Sequence, residues 1–67
     1  MVGDNIKAAR ERAGLSQTEL ARRLGIRQPS VCAWEAGKTF PSYPKLIEMC
    51  AILHVTADEL LRGGAAT

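Results

Sequence analysis

Gly25 and Pro29 stand four positions apart in the stretch SQTELARRLGIRQPSVCAWEAG, Ser16 to Gly37, and they leave almost no chain in which to change direction. Ser16-Gln17-Thr18-Glu19 has the form of a capping box, in which a hydroxyl and a carboxylate satisfy the free backbone donors of a new helix reciprocally. That helix carries Leu20, Ala21 and Leu24 on one face and stops at Gly25, which accepts the left-handed backbone conformation other residues avoid. Proline lacks an amide hydrogen and is tolerated only in the first turn of a helix, so the next helix begins near Gln28 and runs to Ala36, before Gly37. About three residues separate the two helices.

The flanking segments follow the same helical logic. In DNIKAARERAGL, Ile6, Ala9, Arg10 and Ala13 share one face, with Asp4 or Asn5 placed to cap the start and Gly14 the end. Arg10 thus falls on an apolar stripe and needs a carboxylate partner, because a buried unpaired charge is costly. After the loop KTFPS, Ser42 caps a fourth helix whose stripe is Tyr43, Leu46, Met49, Cys50 and Leu53. His54 follows as a left-handed terminal residue, and a second capping box, Thr56-x-x-Glu59, opens a short fifth helix carrying Leu60 and Leu61. The expected fold is all-α, a compact five-helix domain over residues 1–67, ordered over roughly 3–62 with a frayed GGAAT tail.

Composition narrows the function. The three aromatics, Trp34, Phe40 and Tyr43, and the absence of any alternating β-branched run speak against a sheet. A chain of 67 residues lies near the lower limit for an unstapled core. No apolar run approaches the ~20 residues of a membrane span. Cys32, Cys50 and His54 are too few and too far apart for a metal site or a Cys-His nucleophile, so no cofactor and no enzymatic chemistry are expected. Two cysteines without a disulfide framework suggest a reduced, cytoplasmic setting. Residues 1–38 hold seven basic against four acidic side chains, an excess of +3, whereas the remainder totals −1. Such a half suits a polyanionic partner or an ordinary solvated surface, and charge alone leaves both readings open.

Two helices joined by so short a turn, with small Ala21 where backbones approach and Ile26, Val31 and Trp34 facing inward, describe a helix-turn-helix. The outer face of the third helix is then free to enter a major groove. Ser16-Gln17-x-x-Leu20-Ala21-x-x-Leu24-Gly25-Ile26, Val31-x-x-Trp34-Glu35-x-Gly37-Lys38, Pro41-Ser42 and Leu53-x-Val55-x-x-x-Glu59-Leu60-Leu61 together resemble the phage repressor and Cro family of Xre-type regulators. The resemblance runs from Ile6 to Leu61 and implies a repressor-like, sequence-specific DNA-binding domain acting as a homodimer on a near-palindromic operator.

The resemblance also implies roles for single residues. Arg10 of the first helix would pair with Glu35 at the end of the recognition helix, which resolves the charge on the apolar stripe. Gln17 would contact phosphate, and Gln28 would read adenine through its amide. Lys38 and the backbone around Thr39 would grip the phosphate strand, with Ser30 a further backbone contact. The plainer readings are a helix-start residue for Gln17 and a solvated charge for Lys38.

Two departures from the family stand out. The outward positions of the third helix, Pro29, Cys32, Ala33 and Ala36, are nearly devoid of hydrogen-bond donors, so base contacts would rest on Gln28 and Arg27 with apolar contact from Pro29, Cys32 or Ala33. Such a face also suits a protein partner, as in an antitoxin-like subunit binding a toxin or an interaction module without a DNA role. Arg27 replaces the usual hydroxyl cap, a loss of about 1 kcal/mol at the helix start. Ile47, Ile52 and Val55 lie off the main stripe and are candidates for a dimer interface, unless the fifth helix folds over them.

Overall fold

A computed structural model describes residues 2–63 of the protein. The expected frayed tail over 64–67 lies outside these residues. They form five helices and, among the described residues, no strand: α1 (Val2–Arg12), α2 (Gln17–Leu24), α3 (Gln28–Glu35), α4 (Tyr43–Leu53) and α5 (Ala57–Arg62).

Local chemistry sets most of the boundaries. The Ser16 hydroxyl accepts from the Glu19 amide at 3.0 Å, so α2 begins where its cap predicts. The other half of that capping box does not form, because the Glu19 carboxylate accepts instead from Arg22 and Arg23 one turn on. The hydrogen bonds from these two arginines hold the Glu19 carboxyl down at about 2. At the far end Gly25 sits at φ 70°, and the amide of Ile26 returns to the Ala21 carbonyl at 3.0 Å. α3 starts one residue before Pro29 and has no side-chain cap at Arg27. Ser42 caps α4, and Thr56 with Glu59 forms a complete reciprocal box at α5.

All five helices contribute to one core: Ile6 and Ala9 from α1, Leu20, Ala21 and Leu24 from α2, Val31 and Trp34 from α3, Leu46, Met49 and Leu53 from α4, and Leu60 from α5. α2 packs against α3 and α4, whereas α1 bridges α3 and α5. Among the described residues no buried side-chain nitrogen or oxygen lacks a hydrogen-bond partner. No helix among the described residues is long and apolar enough to cross a membrane.

Three expectations are corrected. α1 begins at Val2, so neither Asp4 nor Asn5 caps it. Asp4 lies in the first turn, where its charge favours the helix dipole, and the Asn5 amide donates to the Leu60 carbonyl at 2.9 Å, fastening α5 to α1. Ala13 lies beyond the end of α1 and is exposed. Tyr43 is 73% exposed, since side chains tilt toward a helix N-terminus and the first residue of α4 therefore points back past the core. Of the three candidates for a dimer interface, Ile52 and Val55 are half-buried against the core and Ile47 is 43% exposed.

His54 caps α4 in the left-handed conformation, φ 57° and ψ 46°, the one non-glycine residue with positive φ among those described. A side chain there costs about 1 kcal/mol. Replacing His54 with Gly is expected to stabilise the domain by about 0.5–1 kcal/mol, read as a rise of several degrees in thermal melting. An unchanged or lower melting temperature would contradict the strain.

Candidate nucleic-acid interface

The site is built outward from Arg10. Its position on the inner face of α1 carries the guanidinium under the end of α3, where its side chain is 10% and that of Glu35 5% exposed. Nε donates to Glu35 Oε2 at 2.6 Å and an outer nitrogen donates to Oε1 at 3.1 Å, a two-point pairing of planar groups. The third arm donates to the Leu15 carbonyl at 2.7 Å and so also fixes the loop between α1 and α2. The hydrogen bond to Glu35 raises the Arg10 pKa further. Burial pushes the Glu35 carboxyl up, but hydrogen bonds from Arg10 and Gln17 and the nearby charges of Arg10 and Lys7 outweigh it and hold the group below its ordinary value.

The carboxylate has one further partner, which sequence reasoning missed. Gln17 Nε2, at the first position of α2, donates to Glu35 Oε1 at 2.9 Å. Gln17 Oε1 in turn accepts from Gln28 Nε2, at the first position of α3, at 2.8 Å. A chain of hydrogen bonds thus runs from the buried ion pair to the start of α3. Only the common position of the two glutamines, each first in its helix, hints at this in the sequence.

Around Gln28, α3 turns Val31 and Trp34 into the core and leaves Pro29, Ser30, Cys32 and Ala36 exposed, with Ala33 half-buried. Gln28, Pro29, Cys32, Ala33, Ala36 and Lys38 line one shallow, mostly apolar depression. Arg27, Lys38 and Thr39 are exposed beside it, and neither cation takes part in an ion pair among the described residues. No group of His, Cys, Asp and Glu among the described residues could hold a metal ion.

A helix with a buried inner face, an open outer face and flanking free cations, joined by a tight glycine turn to the helix before it, defines a helix-turn-helix domain. A family model described as Helix-turn-helix matches residues 6–60. The chain belongs to this family, in its Xre-type, phage repressor-like branch. It is 40% identical over 63 residues to the uncharacterized HTH-type transcriptional regulator YqaE of Bacillus subtilis (strain 168), with 94% of this chain and 54% of that protein covered. The chain spans about half the length of the first curated relatives it matches. Among solved structures, the P22 c2 repressor in complex with a synthetic operator superposes with a TM-score of 0.87 at 27% identity, covering 94% of this chain and 96% of that one. SinR, a master regulator for biofilm formation, in complex with DNA gives a TM-score of 0.82 at 34% identity, covering 91% and 98%.

Removing Arg10 strands a buried carboxylate. Arg10→Met is expected to destabilise the domain by about 3 kcal/mol or more, lowering thermal melting by about 12 °C or more, and unchanged melting would refute the role of the pair.

The lowered pKa of Glu35 sets a pH dependence. Its contribution is fully present above the unfolded value near 4.5 and is lost as pH falls through the lower folded value. Urea unfolding between pH 7 and pH 2 should therefore show a steeper acid loss in the wild type than in Glu35→Gln.

Proposed function

We propose that this domain is the DNA-reading part of a transcriptional regulator, most simply a repressor that occludes a promoter. It binds double-stranded DNA with α3 in the major groove and acts as a homodimer on a near-palindromic operator. The observation that carries this reading is the fixed amide of Gln28. One N–H of Gln28 is committed to Gln17, and the other N–H and Oε1 remain for a partner. An amide with one donor and one acceptor matches adenine, which offers N7 and its amino group in the major groove. Gln17 stands between Gln28 and Glu35, so a phosphate contact at Gln17 would register the base-reading amide against the DNA backbone.

The remaining contacts are assigned by chemistry. Arg27 reaches a guanine edge or a phosphate at the mouth of the groove. Lys38, Thr39 and Ser30 grip the backbone, and the apolar depression formed by Pro29, Cys32 and Ala33 accepts thymine methyl groups. The interaction is binding without chemical change. The relatives crystallised with DNA support this mode, since their domains overlay α1 to α5 closely. The exposed apolar side chains Ile47 and Leu61, with the half-buried Ile52 and Val55, are the material for a two-fold contact.

The test is selection of bound duplexes from a random library at two salt concentrations. The expected product is a near-palindrome with half-sites about ten base pairs apart, enriched for adenine opposite Gln28 and for thymines beside it. Salt-sensitive binding without enrichment would show phosphate attraction alone. No binding at either salt would transfer the apolar face of α3 to a protein partner.

A further inference from the structure

The recognition helix has little to hold it in place on its own. It is eight residues long, its N-cap Arg27 makes no side-chain hydrogen bond, and helices of this length are marginal without tertiary support. Its first turn is tied through Gln28 to Gln17. Its last turn is tied by the Glu35 side chain to Arg10. Neither of these contacts fixes the backbone of that last turn.

Gly3 does. It sits in the first turn of α1, is buried, and lies on the same face as Ile6 and Arg10, at i, i+3 and i+7. A methyl group at its Cα would stand 2.5 Å from the Trp34 carbonyl oxygen and 2.6 Å from that of Glu35. Both are main-chain atoms, which cannot rotate aside as a side chain would. Glycine in a helix interior costs about 1 kcal/mol relative to alanine, so close approach is the property it contributes here. Val2, half-buried against the core, holds the same turn down.

We propose that Gly3 is a positioning residue for DNA reading. By letting α1 seat directly on the final carbonyls of α3, it sets the tilt of the recognition helix relative to Gln17 and Arg10. The tilt matters unusually here because the reading face carries few donors. Selectivity rests on bringing Gln28 and the small apolar side chains to the bases at the right depth, and a displacement on the order of 1 Å in such a site costs disproportionately. The inference rests on the DNA-binding reading of α3 given above.

The experiment measures the affinity of the full chain for its selected duplex and for a scrambled duplex of equal length, at one salt concentration, for the wild type, Gly3→Ala and Val2→Gly. Phosphate attraction dominates binding to the scrambled duplex, so the ratio of the two affinities reports the placement of α3, whereas a loss of folded protein lowers both equally. Gly3→Ala is expected to reduce the ratio by about tenfold or more with affinity for the scrambled duplex preserved. Val2→Gly, which adds no volume and loosens the same turn, should shift it in the same direction by a smaller factor. A wild-type ratio in both variants, or in Val2→Gly alone should Gly3→Ala not fold, overturns the proposal. A wild type that fails to distinguish the two duplexes refutes the DNA-reading function, and the role given to Gly3 falls with it.

Discussion

Arg10 is the point through which the rest of the structure is referenced. Its guanidinium joins three elements: the inner face of α1, the Leu15 carbonyl in the loop that follows, and the Glu35 carboxylate at the end of α3. A buried ion pair contributes little net stability over a well-packed apolar alternative, because desolvation offsets most of the attraction. Its asymmetry is what matters. With both partners and the Leu15 carbonyl in place each of the three guanidinium nitrogens has a hydrogen-bond partner, and any rearrangement that separates them exposes a buried charge to an apolar surrounding. The pair therefore selects one arrangement of α1 against α3 and penalises neighbouring ones. Gln17 and Gln28 extend that selection to the start of the recognition helix.

How far this was legible in the sequence depended on how local the cause was. Capping chemistry and the requirements of Gly25 and Pro29 are local, and α2, α3, α4 and α5 start or stop where Ser16, Gly25, Ser42, His54 and Thr56 indicate. The pairing of Arg10 with Glu35 was legible for another reason, since a charge on an apolar stripe demands a partner. The start of α1 was not, because Gly3 in its first turn lies against the carbonyls of Trp34 and Glu35, an approach between elements distant in the chain that no local signal announces. Whether Ile52 and Val55 stand free or pack was left open by the sequence, because their half-burial against the core is a tertiary fact. The bridge from Glu35 through Gln17 to Gln28 left no demand in the sequence, since an amide at a helix start is satisfied equally well by water.

The second half of the domain supports the first without touching its outer face. Lys45 reaches from α4 to the Leu24 carbonyl at 2.8 Å, so the last turn of α2 and its dipole meet a cation where the chain bends into α3. Asn5 fastens α5 to α1 by the carbonyl of Leu60. These contacts secure the scaffold from behind, and the burden of order is carried by residues that point away from the open side of the recognition helix.

That division has a consequence for how such a surface changes over time. Pro29, Ala33 and Ala36 have almost no side-chain freedom to lose when they are covered, so docking against this face freezes few rotamers. They also lie outside the packed core, where replacements are usually tolerated within about half a kcal/mol. The face is an unwritten surface on a rigid mount. A single longer side chain at one of these positions would add a contact, and with it a preference, without the fold having to accommodate the newcomer.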